Sequence, residues 1–276
     1  GHTDVVTPGN VSAWKYDPFG AEIVGRRMYG RGSNDTKGNL AAMLIAMKAL
    51  KASAVELAGP VIGGVLCDEE DQMRGVMDFI QKGHADQITA AVICEPQDGM
   101  ICTVQKGAIR ASYLITGRMS HGAMPLSGLN CASAIARLID GLHQLEKEAA
   151  TTVGSDQYLG WPSFTPTVIQ APAAGAPQLN VMPREARVLV DIRTTPRQSH
   201  QKIIADLKAL AQNVSQRVRD NYRQYDDLLD FQRDHDLAVQ VDILTDRPCT
   251  LTDAKTILLS RLRSWCSGRR SSDVTE

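Results

Sequence analysis

Between Gly30 and Gly38 the sequence reads Gly-Arg-Gly-Ser-Asn-Asp-Thr-Lys-Gly, a glycine-rich loop that ends one apolar segment and opens a helix. The helix is written in Leu40, Met43, Leu44, Met47 and Leu50, which recur at helical spacing. Before the loop, Ala21 to Tyr29 reads as a hairpin with Gly25-Arg26 as its turn. The alternation continues on both sides. Gly1 to Val6 is a short strand followed by a Pro8-Gly9 turn; Val61 to Cys67 and Ala90 to Cys94 are apolar strands, with helical Val76 to Lys82 between them. Strands alternating with helices predict an α/β fold with a mainly parallel sheet.

Near Val104 the pattern changes. Ile109, Ala111, Tyr113 and Ile115 alternate as in a half-buried strand, and Ile135, Leu138, Ile139, Leu142 and Leu145 line one helix face. Strands follow around Thr165 to Ile169 and Arg187 to Ile192, then a helix over Ile203 to Val218 and a strand over Ala238 to Leu244. The order β-α-β-β-α-β is the α+β ferredoxin-like arrangement. The expected organisation is a partial catalytic domain (1–103), an inserted domain (104–246) and a truncated return (247–276) with a helix over Asp253 to Trp265.

Charge and composition exclude several function classes. Thirty basic side chains face 31 acidic ones, so no net field favours nucleic acid or an anionic membrane. The longest apolar runs are far too short to cross a bilayer. The six cysteines show no close pairing of the kind that marks a zinc finger, and reduced, mostly buried thiols fit a cytoplasmic protein. The chain opens on Gly-His rather than Met, inside a strand, so an N-terminal portion is expected to be missing.

Each candidate functional residue has an ordinary structural explanation. His2 and Asp4 share one face of a strand; they suit an imidazole ligand with its orienting carboxylate, or a surface pair. Asp35 suits a metal ligand or a helix cap. A phosphate loop is disfavoured, because Lys37-Gly38 reverses the required Gly-Lys order. Asp68-Glu69-Glu70-Asp71 ends a strand as either a cation site or a solvated acidic turn, and Glu95 is a strand-end acid before Pro96. Together they are more specific. Ligand sites in open α/β sheets lie outside the carboxyl ends of the strands, where His2, Asp35, Glu70 and Glu95 all fall. One imidazole with several carboxylates suits zinc, cobalt or manganese.

At this point the chain resembles a known family: the dinuclear zinc metallopeptidases of the aminoacylase, acetylornithine deacetylase, succinyl-diaminopimelate desuccinylase and carboxypeptidase G group. The matching stretches are Gly1 to Val6, Trp14 to Phe19, Tyr29 to Gly38, Asp68 to Glu70, Glu95-Pro96, Lys106-Gly107, Ser120 to Pro125, Leu179 to Pro183 and Asp191 to Arg193. The resemblance implies two divalent ions, with His2 and Glu95 on one, Glu70 on the other and Asp35 bridging. It implies Glu69 as general base, Asp4 as the catalytic partner of His2, and His121 as a donor to the developing oxyanion. It implies Asn180 and Arg193 as the grip on a substrate carboxylate. The implied reaction is hydrolysis of the amide bond of an N-acyl amino acid or small peptide by a homodimer joined through 104–246.

The chain departs from the family's pattern at its end. No histidine follows His235, whereas relatives carry a late histidine ligand for the second ion. The expectation is one well-held ion and impaired hydrolysis. The alternative is a non-catalytic dimerising remnant of such an enzyme. His84, His143, His200 and His235 match no motif and read as helix-face or loop residues.

Overall fold

The computed structural model describes residues 1–97, 100–223, 237–253 and 255–256. The chain divides into two compact units, the first built on Gly1–Cys102 and the second on Thr103–Ser260.

In the first unit a short 3-10 turn, Val11–Ala13, precedes the antiparallel pair β1 (Glu22–Val24) and β2 (Arg27–Tyr29). Gly25 turns the pair with a φ of +63°, a region glycine enters at little cost. Helices α1 (Lys37–Ala52) and α2 (Arg74–Gln81) follow. The strands expected over Gly1 to Val6, Val61 to Cys67 and Ala90 to Cys94 do not form as ladders. The parallel pairing is a single bridge, His2 to Leu66, held by Thr3 N–H on the Leu66 carbonyl (2.9 Å) and Leu66 N–H on the Gly1 carbonyl (3.0 Å). A strand is defined by partners for its backbone groups, and these runs find none beyond that bridge among the described residues. Val61, Ile62, Val65, Val92 and Ile93 are accordingly exposed. Leu40 and Pro18 are the buried apolar side chains of this unit among the described residues.

The second unit is organised differently. It contains β3 (Val104–Gln105), β4 (Gly107–Thr116), β5 (Ser120–His121), α3 (Cys131–Val153), β6 (Ser163–Gln170), β7 (Val181–Met182), β8 (Glu185–Thr194), α4 (His200–Arg223), β9 (Ala238–Arg247) and β10 (Thr250–Leu251). Its main sheet runs β6-β8-β4-β9, all antiparallel. This is the ferredoxin-like order. The register explains the core: Ile109, Ala111, Tyr113 and Ile115 of β4 stand opposite Ile192, Val190, Val188 and Ala186 of β8. All eight are buried, under Leu138 and Leu142 of α3 and Leu207 and Val214 of α4. Each fully buried aliphatic chain contributes roughly 1.5–3 kcal/mol. The Tyr113 hydroxyl donates to the Leu207 carbonyl at 3.2 Å, so the one polar atom carried into that core is satisfied. Asn130 caps α3 by accepting from Ala132 N–H at 2.9 Å.

Two small pairs flank the main sheet, β3 with β10 and β5 with β7. The helix expected over Asp253 to Trp265 lies outside the described residues from 257 onward. Of the five described cysteines, all are free and only Cys131 is buried, which corrects the expectation of mostly buried thiols.

Candidate metal centre

The bridge to Leu66 places His2 beside the acidic turn that follows Cys67. The connection is made by Asp4, whose two carboxylate oxygens accept the main-chain N–H groups of Glu69 (3.2 Å) and Glu70 (3.1 Å). These bonds hold the Asp4 carboxyl below the usual carboxylate range against the opposing effect of its partial burial. The turn itself is shaped by Asp68, a non-glycine residue at φ +62°, whose side chain accepts from Arg74 N–H at 3.1 Å and so caps α2. The four acids therefore divide. Asp68 serves the helix, Asp71 accepts from the Gln72 side-chain amide at 3.4 Å, Glu69 reaches to 3.8 Å from His2 Nε2, and Glu70 lies within the charge field of Asp35 and Glu69.

His2 is almost wholly buried, at 1% exposure. Its Nδ1–H donates to the main-chain carbonyl of Asp4 at 3.0 Å, while the Asp4 carboxylate stands 3.5 Å away. The orienting bond thus comes from the Asp4 backbone, and its carboxylate works on the acidic turn. With the proton on Nδ1, the Nε2 lone pair points inward. Around Nε2 stand Asp35 Oδ1 at 3.2 Å, Glu69 Oε2 at 3.8 Å and Glu95 Oε1 at 3.8 Å. None of these contacts has hydrogen-bond geometry, and Nε2 is a buried polar atom without a hydrogen-bond partner.

Asp35 reaches this point because its loop is tightly wound. Gly32 has φ +85°, and a Cβ there would lie 2.5 Å from Val5 Cγ1; a Cβ on Gly38 would lie 2.4 Å from the Ser33 carbonyl oxygen. Both positions require glycine. The Asp35–Thr36 peptide is cis. Helix α1 is capped at Thr36, without a side-chain capping bond. Asp35 is therefore not the helix cap, and its carboxylate faces His2 instead. Thr36 is fully buried and its hydroxyl donates to the Cys94 carbonyl at 2.7 Å, next to Glu95.

The electrostatics follow from crowding. Burial raises the Glu95 carboxyl, and the charges of Asp35 and Glu69 raise it further while His2 opposes them. Burial, then Asp35 and Glu69, raise Glu70 in the same way. Burial alone would lower His2, but the Asp4 carbonyl bond and the charges of Glu95, Glu69 and Asp4 outweigh it and raise its pKa. Like charges this close call for a proton or a cation between them. His2, Asp35 and Glu95 each offer one donor atom, all within 4.8 Å of one another. An inward imidazole lone pair facing carboxylate oxygens fits a divalent ion of the zinc, cobalt or manganese type.

In the second unit, Ala123 N–H donates to His121 Nδ1 at 3.1 Å, which puts the ring proton on Nε2. The Asn180 side-chain amide lies 3.3 Å from that Nε2, with its oxygen toward the ring when the amide is turned to accept. The register of β5 and β7, with His121 opposite Val181, brings the two residues together. Arg193 lies elsewhere. It is at the far end of β8 from Asn180, with about 25 Å of strand between Glu185 and itself. There its Nε and Nη2 donate to the two Asp191 oxygens at 2.6 and 3.2 Å. Of the other histidines, His200 is bound through Nδ1 to Asp246 and through Nε2 to Thr194, and His84 lies against the Phe79 ring. His235 lies outside the described residues. Sequence reasoning gave Thr36 no role of its own, read Asp68 only within the acidic turn, and named Asp191 only within a matching stretch. Only Asp68, as an acid six residues before a helix-opening Arg74, carried any signal.

An α/β chain with a hard imidazole–carboxylate donor set defines a class of metal-dependent proteins. Within it, residues 1–257 match the family described as Peptidase family M20/M25/M40, and the chain belongs to that family. Members of the family are metal-dependent. The chain is 32% identical over 210 residues to succinyl-diaminopimelate desuccinylase 1 of Ruegeria sp. (strain TM1040), covering 70% of this chain and 50% of that protein. It is 30% identical over 229 residues to succinyl-diaminopimelate desuccinylase of Rhodospirillum centenum, covering 78% and 55%. The chain thus spans about half the length of the curated relatives it matches. Among solved structures it resembles the M20 family metallo-carboxypeptidase Sso-CP2 from Sulfolobus solfataricus, with a TM-score of 0.63, 17% identity, and coverage of 97% of this chain and 68% of that one. It likewise resembles the dipeptidase Dug1p from Saccharomyces cerevisiae, with a TM-score of 0.63, 16% identity, and coverage of 97% and 65%. These two likenesses establish the fold. Among the described residues, no helix is long and apolar enough to cross a membrane.

Proposed function

We propose that this chain carries the metal centre of a hydrolase that cleaves the amide bond of N-acyl amino acids or small peptides. The observation that carries the reading is the buried Nε2 of His2, which has no hydrogen-bond partner and is surrounded by Asp35, Glu69 and Glu95. The desuccinylase relatives support an acyl amino acid as substrate class.

In this reading His2, Glu95 and Asp35 would hold one ion, and Glu70 with Asp35 would hold a second. Zinc is the preferred ion, with cobalt or manganese able to replace it. When bound, such ions polarise the scissile carbonyl and make water acidic enough to attack near neutral pH. The protein's own residues do the rest. Glu69, held at its main-chain N–H by Asp4, takes the proton of the attacking water and returns it to the leaving amine. His121, held at Nδ1 by the Ala123 N–H, would turn its Nε2–H from the neighbouring Asn180 amide to the developing oxyanion. Asp191 fixes the Arg193 guanidinium and leaves its Nη1 edge for a substrate carboxylate.

Because Asn180 lies five residues before β8 and Arg193 lies near that strand's far end, the reading does not close both on the same carboxylate within one copy of the chain. The reading therefore assigns the His121–Asn180 pair to the site of a second copy in a homodimer joined through the second unit, whose sheet has open edges at β6 and β9. The free thiols support a reducing, cytoplasmic setting.

The test is a chelator cycle on the full chain with N-acyl amino acid substrates. Hydrolysis is expected to be lost on dialysis against EDTA, restored by zinc or cobalt, and absent from His2→Ala under both conditions. Hydrolysis that survives EDTA, or that survives in His2→Ala, would overturn it. A dimer with an intact metal content but no turnover on any acyl amino acid would favour the non-catalytic alternative, which the self-contained core of the second unit supports.

A further inference from the structure

Asp35 and Glu95 come from segments far apart in sequence, and their like charges oppose their approach. A side-chain bond ties the backbones at the point where they meet. Thr36 directly follows Asp35, Cys94 directly precedes Glu95, and the Thr36 hydroxyl donates to the Cys94 carbonyl at 2.7 Å. Thr36 is fully buried, so water does not compete for that bond. Asn39 Nδ2 donates to the same hydroxyl oxygen at 3.3 Å and to the Asn34 carbonyl at 3.3 Å, which fixes the hydroxyl's lone pairs and leaves its proton for Cys94. Among the described residues, segment 90–97 has no ladder partner. The β-branch of Thr limits χ1, so the hydroxyl is also held in direction.

We infer that Thr36 is a positioning residue for the metal centre: its buried hydroxyl sets the spacing of the Asp35 and Glu95 carboxylates and thereby the affinity for a divalent ion. This rests on the reading of His2, Asp35 and Glu95 as a metal site. Thr36 touches neither the ion nor the substrate; it acts through the two acids on either side of the bond. Outer-shell bonds of this kind are worth about 10–100-fold in metal affinity.

The experiment is a zinc titration of the full chain, with dissociation constants from competition against a chromophoric chelator, on the wild type and on Thr36→Val, Thr36→Ser and Thr36→Ala. Far-ultraviolet dichroism in EDTA confirms that each is folded. Thr36→Val keeps the shape and removes the hydroxyl, and is expected to weaken zinc binding about 10–100-fold. Thr36→Ser keeps the hydroxyl and is expected to stay within about threefold of wild type, since the bond itself is retained. If Thr36→Val does not fold, the comparison of Ser with Ala decides, with Ala expected to bind at least about tenfold more weakly. Equal affinities for wild type and Val, or for Ser and Ala, would overturn the inference while leaving the metal site standing. A wild type that binds zinc no better than His2→Ala would instead overturn the metal site itself.

Discussion

The two units solve the same problem by opposite means. In the second, alternating side chains of β4 and β8 meet α3 and α4 in one core, and the Tyr113 hydroxyl carried into it is hydrogen-bonded there. In the first, Leu40 and Pro18 are the buried apolar side chains among the described residues, and the most deeply buried side chains there are the polar His2 and Thr36. Its centre is polar. It is held by directed bonds: Thr3 and Leu66, Asp4 with Glu69 and Glu70, and Thr36 with Cys94. A core stabilises by area and tolerates small errors of placement. A lattice of hydrogen bonds between crowded acids contributes about 0.5–1.5 kcal/mol per bond and depends on each one. The second unit should therefore fold by itself, and the first should depend on what binds between its carboxylates.

The largest break of this contrast is a core truncation. Leu138→Ala should cost about 2–5 kcal/mol in urea unfolding of the second unit, because Leu138 is fully buried. Ile45→Ala on α1, where the side chain is 67% exposed, should stay within about 0.5 kcal/mol. Comparable losses at the two positions would show that the first unit has a core after all.

The next effect is on the lattice. Asp4→Ala leaves the N–H groups of Glu69 and Glu70 without their acceptor, and should cost about 1–3 kcal/mol together with a loss of zinc affinity. Asp4→Asn keeps one acceptor oxygen and should fall between the two. Hydrogen exchange at the Glu69 and Glu70 amides reads the loss directly. Unchanged protection in Asp4→Ala would remove Asp4 from the account.

The smallest effect is a pH dependence confined to the first unit. His2 has its pKa raised above 6.5, so the stabilisation from its protonated form is fully present below 6.5 and is lost as pH rises through the higher folded value. Glu70 and Glu95 are raised above 4.5; they favour the folded state below 4.5 and cease to do so as pH rises through their folded values. All three signs agree. Metal-free protein should be less protected from hydrogen exchange in the first unit at about pH 8 than at about pH 6, and zinc should reverse the order because it displaces those protons. A metal-free first unit that gains protection at the higher pH would contradict the assignment.

The same contrast explains what the sequence made legible. Residues 109–115 and 187–192 alternate because one face is buried, and 135–145 and 203–218 repeat at helical spacing for the same reason. The second unit could be read almost strand by strand. The runs Val61 to Cys67 and Ala90 to Cys94 are apolar too, yet hydrophobicity does not name the strand they pair with, and among the described residues they have only the bridge from Leu66 to His2. At the site, His2, Asp35, Glu70 and Glu95 each had an ordinary structural explanation and became legible only as a set at the expected carboxyl ends of the strands, with Glu69 added by the family resemblance. Thr36 was not visible. A threonine at a helix cap is too common to mark, and only the position of the Cys94 carbonyl gives it a function. Asp4 was placed beside the right histidine, but its carboxylate serves the acidic turn, a bond to main-chain groups more than sixty residues away that no spacing in the sequence announces.

The central claim is that His2, Asp35 and Glu95 hold a divalent ion, and X-ray absorption at the zinc edge tests it most directly. Zinc-loaded full chain should show an imidazole and oxygen donors at about 2.0–2.2 Å, no sulfur near about 2.3 Å, and loss of the imidazole signature in His2→Ala. A sulfur shell, or an imidazole signature that persists in His2→Ala, would place the ion elsewhere and contradict the account.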